Sequence, residues 1–288
     1  MSAFSSDPPV DDMQAERKRP DRLYYATGVF LEAVDMRAEQ LYHRAQLSRA
    51  LAYLHGCGTV AGLKVEMQEK TIAGSTEKAK DHLIVHPGLA IDRLGRLIEV
   101  TRPVCIRFGD WFQQHDAGDL ARGVNDGRIL IDVFIRFHEC EHGKTPAMAA
   151  GPFDALDAVT PSRIRDHFRV DLIVRRTLAP RLPKHPWAAL MKKKAPVKDV
   201  HNAILDSWPG FRDQWEGDQK NLTPLPWHQR EQDPTSLFLA RIRVPATSGA
   251  GESDRPTMND IETVTIDNEK RLFVYPTPLL TRWLGWID

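Results

Sequence analysis

Histidine and cysteine side chains alternate along residues 137–143, a stretch that reads FHECEHG. If the preceding strand continues through it, His138, Cys140 and His142 project from one face at two-residue spacing. Imidazole and thiolate groups suit zinc, so these three residues are candidate metal ligands. A zinc site needs a further ligand, and no CxxC or HExxH motif supplies one. The alternative is a polar strand end with a partly buried cysteine, and we therefore predict no metal and no cofactor.

Two other charged groups have structural explanations. Asp35 and Glu39 stand one helical turn apart, where an N-cap residue and a first-turn acid are both favoured. Arginines alternate along residues 163–175 on one face of a strand, which could hold phosphate or an acidic partner, although a solvated face, or cross-strand ion pairs to neighbours such as Asp132, is the simpler explanation. The chain contains no GxGxxG, GxxxxGK(S/T) or GxSxG motif. We therefore assign no catalytic residue and predict that the protein is not an enzyme.

A long helix and its exit dominate the N-terminal part of the chain. The helix is predicted from Asp35, as N-cap, to His55. It carries two adjacent stripes, which suggests packing on more than one side: one of Leu47, Leu51 and Leu54, the other of Leu41, Ala45, Ser48 and Ala52. Gly56 fits the left-handed C′ position, and Gly58 and Gly62 let the chain turn into a strand over residues 60–67.

Short strands and turns follow the helix. Residues 68–81 are predicted to be a polar loop, with strands at 83–86, 89–92 and 96–100. Pro87 and Gly88 signal a turn with positive φ at the glycine, and Gly95 closes a hairpin. Long strands are predicted at 128–137, with Ile129, Ile131, Val133, Ile135 and Phe137 on one face, and at 163–175. Further strands are predicted at 237–244, 261–266 and 271–275, and a helix at 279–284. The fold class is α+β, mostly antiparallel β, with a long N-terminal helix and a Pro/Trp-rich helical insertion.

Four regions are predicted along the chain. Residues 1–22 form a flexible arm, 23–180 the main helix-plus-β domain, 181–235 a Pro/Trp-rich insertion, and 236–288 a C-terminal β unit packing on the main domain. The insertion holds short helices near 186–193 and 197–207. Because tryptophan is enriched at interface hot spots, we predict interface roles for Trp187, Trp208, Trp215 and Trp227.

Composition narrows the class of protein. Of 288 residues, 42% are apolar and 27% charged, as in ordinary globular proteins. Equal numbers of basic and acidic residues, 39 each, argue against a nucleic-acid partner held by bulk charge. Three distant cysteines imply no disulfide framework, and no segment resembles a signal peptide or a membrane span. These features predict a cytoplasmic protein with no direct membrane insertion.

Several short motifs resemble a family of uncharacterised bacterial proteins encoded beside contractile injection systems, the phage-tail-like particles with sheath, tube and baseplate. The resemblance is carried by Gly28-Val29-Phe30-Leu31, Asp35, Glu39-Gln40, Tyr42-His43-Arg44, Leu54-His55-Gly56-Cys57-Gly58, Gly62-Leu63, the run PGLAIDRLG at 87–95, and Ser162-Arg163-Ile164-Arg165-Asp166. It covers 23–175 best, is moderate over 237–280 and is absent over 181–235. Family members carry more cysteines after the long strand, whereas here only Cys140 stands there, which argues against a metal or disulfide.

The resemblance implies a structural component at the baseplate or in a cap or adaptor position. Its partners would be baseplate, sheath or tube proteins, and it could form homo-oligomers within the particle. Two alternatives remain open at this point. One is a metal-dependent hydrolase using His138, Cys140 and His142, and the other is a ligand- or glycan-binding module with the tryptophans as its platform.

Overall fold

Helices and antiparallel sheets combine in the computed structural model, so the predicted α+β class is confirmed. The structure describes residues 21–71, 78–146, 159–176, 197–206, 222, 224–229, 232–249, 251, 254–258 and 263–277. Its helices are α1 Ala33–His55, α2 Phe108–Gln114, α3 Ala117–Arg122 and α4 Val197–Leu205. Its strands are β1 Gly58–Gly62, β2 Val65–Thr71, β3 Lys78–Val85, β4 Gly88–Ile91, β5 Leu97–Val100, β6 Val104–Arg107, β7 Val124–Asn125, β8 Arg128–Pro146, β9 Val159–Arg175, β10 Leu237–Thr247, β11 Thr257–Met258 and β12 Thr265–Asp267.

The described strands form three sheets. Two small sheets have the orders β1-β4-β5 and β2-β3-β6. The third has the path β11-β10-β8-β7, with β9 paired to β8 and β12 paired to β10. Strand β8 lies between β9 and β10 and so connects the middle of the chain with residues 237–247. The predicted C-terminal β unit thus contributes a strand to the same sheet as the main domain.

The core lies on the face of β8 that the sequence predicted. Its five apolar residues on that face are all buried in the largest apolar cluster, together with residues from β2 to β6 and from β10. The opposite face of β8 is also buried along its first half, where Phe134 packs against Phe238 and Trp227. Burial on both faces explains why this half of the strand is almost continuously apolar.

Helix α1 begins two residues before the predicted start. Glu32 is the N-cap, and Asp35 stands three positions later, where its carboxylate accepts the backbone N–H of Glu32 at 2.8 Å. The prediction of Asp35 as the N-cap is therefore wrong. At the other end Gly56 has the positive φ that was predicted, +72°, but its ψ of −148° lies outside the left-handed helical region. That combination is essentially restricted to glycine.

The predicted strand over residues 60–67 is two strands in different sheets. The strand is interrupted between β1 and β2, at a point that we call the break, and Leu63 takes a φ of +55° there. Gly88 lies across the break inside β4, and its φ is not positive, contrary to the prediction. Its backbone approaches Leu63 so closely that a Cβ atom would overlap the Leu63 nitrogen. Gly88 is required for this close approach rather than for a turn.

Residues 268–274, near the C-terminal end of the described residues, form hydrogen bonds that stabilise the break between β1 and β2. The side chain of Asn268 accepts the N–H of Val65 and donates to its carbonyl, both at 2.9 Å, as a neighbouring strand would. The guanidinium of Arg271 donates to the carbonyl of Leu63 at 2.7 Å. Beyond it, the chain forms a parallel bridge between Thr59 and Phe273 instead of the predicted strand at 271–275.

Several other boundaries differ from the predictions. Residues 68–71 and 78–81 of the predicted polar loop are strand instead, in β2 and β3 respectively. Helices α2 and α3 were not predicted, and the last described strand, β12, begins later than the strand predicted at 261–266. Within the described residues no helix has the length and apolar character needed to cross a lipid bilayer.

Some predictions fall on residues that the structure does not describe. They are the arm over 1–20, the helices at 186–193 and 279–284, and the tryptophans Trp187, Trp208 and Trp215. Within the predicted insertion, α4 agrees with the helix expected near 197–207.

Candidate functional site

The candidate metal ligands lie in the second half of β8, which pairs with β9 as a two-stranded ribbon. His138, Cys140 and His142 share a face, as the alternation requires. The ring of His142 lies 2.8 Å from the guanidinium of Arg165, and the Cys140 thiol donates to the Arg165 carbonyl at 3.6 Å. In the part of the chain that the structure describes, no three His, Cys, Asp or Glu side chains converge as a metal site. The hydrolase alternative has no ligand set there.

The other face of the ribbon receives α1. Glu139 is buried, and its carboxylate pairs with Arg44 of α1. The same guanidinium reaches the carboxylate of Asp166 on β9 at 3.7 Å. Glu139 and Asp166 are directly opposed across the two strands, so the Arg44 cation relieves the repulsion between their carboxylates. This contact fixes the middle of α1 to the ribbon.

Helix α1 has one covered side and one exposed side. Its buried residues are Ser48 and Ala52, both from the stripe of smaller side chains. Two residues of the leucine stripe point away, since Leu47 and Leu54 are 57% and 77% exposed, whereas Leu51 is half-buried. The sequence predicted packing on more than one side, whereas the described chain covers only one.

The segment before α1 is equally open. Among residues 24–36 the exposed large apolar side chains are Tyr24, Tyr25, Val29, Phe30, Val34 and Met36, with Phe30 83% exposed. Exposed apolar surface of this extent is uncommon on monomers and marks interaction sites. Nothing in the described residues covers it.

A buried turn between β4 and β5 supports the C-terminal half of α1. The carboxylate of Asp92 accepts the backbone N–H groups of Leu94 and Arg96 at 2.8 and 2.9 Å, and it also pairs with the Arg96 guanidinium at 2.6 Å. Gly95, at the tip with a φ of +78°, lies against the carbonyl of Ser48 in α1. The hairpin predicted at Gly95 is confirmed, and its tip packs against α1.

A second buried network holds the ribbon's base. Asp132 of β8 is fully buried and accepts two hydrogen bonds from Arg241 of β10, at 2.7 and 2.9 Å. The guanidinium of Arg175 approaches the same carboxylate at 3.2 Å and donates to the carbonyl of Trp227. Burial lowers the pKa of Arg175, and the neighbouring Arg241 cation contributes to the shift. A solvated position, one of the two predictions for this face, is wrong at Arg175, whereas the other, a cross-strand ion pair with Asp132, is confirmed.

Cys57, at the exit of α1, packs against the core beside Arg93 and Asp92. Burial raises the pKa of its thiol to about 11, although the Arg93 cation opposes the shift. The thiol is therefore protonated at neutral pH and is a poor nucleophile.

Alkylation should distinguish this thiol from the exposed one. With iodoacetamide at about pH 8, we expect Cys105 to react and Cys57 to stay unmodified in the folded protein, because only the thiolate attacks. Cys57 should react once the protein is unfolded in denaturant. Peptide mapping by mass spectrometry measures both rates, and equal rates in the native state would contradict the burial of Cys57.

Of the four tryptophans predicted at an interface, Trp227 is the one that the structure describes. Trp227 is buried against Phe134 and Phe238, so the prediction of an interface role for it is wrong. A buried indole also cannot serve as a glycan platform. The exposed side of α1 was missed as a site, although the spacing of Met36, Leu47 and Leu54 was available in the sequence.

Comparison with protein-family models and with curated proteins finds no match. The motifs that carry the family resemblance lie in α1, at its exit, in the turn at residues 92–96 and along β9.

Proposed function

We propose that this chain is a structural subunit of a contractile injection system or a related phage-tail-like particle. It docks onto baseplate, sheath or tube proteins at the baseplate or a cap position. Its role is architectural, with no catalytic residue, cofactor or metal. The particle assembles in the cytoplasm, where the subunit is made.

One observation carries the proposal: no described residue covers the outer side of α1. Exposed residues recur along it at alternating four- and three-residue spacing: Met36, Gln40, His43, Leu47, Ala50 and Leu54. This spacing lines a single seam on a helix, and its large apolar side chains are Met36, Leu47 and Leu54. The seam is continuous with the apolar segment that precedes α1. A subunit whose longest helix presents such a surface is built to be covered by a neighbour.

Co-purification with assembled particles tests the proposal. We expect the wild-type protein to copurify with sheath and baseplate proteins from the bacterium that produces them. The double substitution Leu47→Gln and Leu54→Gln should abolish copurification, because it replaces the seam's largest apolar contacts with amides. Circular dichroism of the free protein should be unchanged, since both side chains are already in solvent.

Leu97→Gln is the matched control, because Leu97 is another exposed leucine, 44% exposed, on β5. It should copurify like the wild type. Wild-type protein that never associates with sheath or baseplate proteins refutes the proposed function. Association that survives the double substitution would instead locate the docking surface elsewhere.

A further inference from the structure

The face of the ribbon opposite α1 carries basic and imidazole side chains at successive levels. The register places Arg136 opposite Arg169, His138 opposite His167, Cys140 opposite Arg165 and His142 opposite Arg163. We call these residues the cationic face. Arg136 and Arg169 are like charges directly across the two strands, and Asp171 pairs with both. Exposed arginines without a carboxylate beside them form a surface that a partner of opposite charge can recognise.

Carboxylates neutralise this face only at its base. Asp171 pairs with both Arg136 and Arg169 at 3.1 Å, and Asp233 lies 3.7 Å from Arg136. Further out, Arg163 and Arg165 are exposed and take part in no ion pair with a described residue. The Arg165 guanidinium contacts the imidazole of His142 at 2.8 Å. As far as the described residues go, the outer half of the face is therefore an unneutralised cationic strip.

Strand β9 also offers a free edge. Among the described strands it pairs with β8 alone, so its outer backbone groups at residues 161–169 have no strand partner there. An exposed edge of this kind is a template for an added strand. On an added strand, alternate side chains would lie on the cationic face about 6.8 Å apart, the spacing of Arg163 and Arg165.

We infer that the ribbon binds an extended, acidic segment of a partner protein, which adds to the outer edge of β9 and sets alternate carboxylates against Arg163 and Arg165. The backbone edge gives affinity, and the arginines select a segment with acids at every second position. A protein strand fits better than nucleic acid, because the ribbon's other face carries Glu139, Glu141 and Asp166 and the cationic strip is only two strands wide.

The inference rests on the proposed function, since it gives the subunit a second contact surface. It is tested on the isolated protein, without the particle. The probe is a fluorescein-labelled synthetic peptide of alternating glutamate and valine, titrated with the full-length protein in an anisotropy assay. We expect saturable binding that weakens at least about tenfold when salt rises from about 50 to about 300 mM, since the charges are exposed. Hydrogen exchange should slow at the backbone amides within residues 162–169 that face away from β8.

Two matched double variants distinguish binding by the local arginines from attraction by the net charge of the protein. Arg163→Glu with Arg165→Glu should weaken binding at least about tenfold. Arg107→Glu with Arg122→Glu changes net charge equally at two exposed arginines outside the ribbon and should leave binding within about twofold.

Three results would overturn the inference: no binding of the glutamate peptide, equal binding of a glutamine–valine peptide, or unchanged binding by the ribbon variant. Tighter binding of duplex DNA than of the peptide, lost in the same variant, would overturn the choice of a protein partner. None of these results depends on particle association, so failure here and failure of the proposed function are distinguishable.

Discussion

Replacing Asp132 by asparagine should destabilise the protein by about 3 kcal/mol or more, because the change removes the negative charge that faces two buried guanidinium groups. Arg241 donates hydrogen bonds to this carboxylate, the Arg175 guanidinium lies 3.2 Å from it, and all three side chains are buried between β8, β9 and β10. Asparagine has nearly the same shape, so the loss reports charge rather than packing. Denaturant unfolding followed by circular dichroism measures the change in the free energy of unfolding.

Asp171→Asn is the control for this prediction. Asp171 pairs with Arg136 and Arg169 in the same sheet but is partly exposed, so its loss should cost no more than about 1 kcal/mol. Adding Arg241→Met to Asp132→Asn should recover part of the stability, because it removes one of the two buried cations. Equal effects of Asp132→Asn and Asp171→Asn would show that the buried network is not important for stability.

Gly95→Ala should cost about 2 kcal/mol or more and loosen α1 from the body. The glycine has a φ of +78°, and an added Cβ would overlap the carbonyl oxygen of Ser48. Relief of this overlap requires either the turn at residues 92–96 or the helix to move. The turn is held by Asp92, so we expect the helix to shift. Thermal unfolding measures the loss of stability, and hydrogen exchange along α1 measures the loosening.

Gly127→Ala provides the comparison, because Gly127 has a similar φ of +71° but no atom within 4 Å of an added Cβ. It should cost about 1 kcal/mol, from backbone strain alone. Hydrogen exchange in α1 should be unchanged in this variant. A Gly95→Ala protein that behaves like Gly127→Ala would mean that α1 does not rest on the turn.

Local signals predicted the elements that local residues determine. The hairpin at Gly95, the positive φ at Gly56 and the inward face of β8 were all predicted, since each follows from residues adjacent in sequence. The break at Leu63 was not predicted, because a leucine with positive φ gives no signal in its own type. It is imposed by Asn268 and Arg271, about two hundred residues later, and by the close approach of Gly88.

The candidate site was predicted in part for the same reason. The shared face of His138, Cys140 and His142 was predicted, but the contact of His142 with Arg165 was not, because only the register with β9 brings them together. Trp227 was predicted at an interface because tryptophan is enriched at interface hot spots. Its burial depends on Phe134 and Phe238, which are remote in sequence. Cross-strand register and long-range packing are not encoded in any short motif.

The attachment of residues 268–274 to the break between β1 and β2 sets an order of events during synthesis. Thr59 and Val65 can pair with strands that are near in sequence early in synthesis. Their hydrogen bonds to Leu272 and Asn268, however, join residues more than two hundred positions apart. While the chain is still being synthesised, one edge of the β1-β4-β5 sheet therefore stays unpaired until residues 268–274 have left the ribosome. A pause or truncation before residue 274 would leave that edge open, and such edges are where nascent chains pair with one another and aggregate.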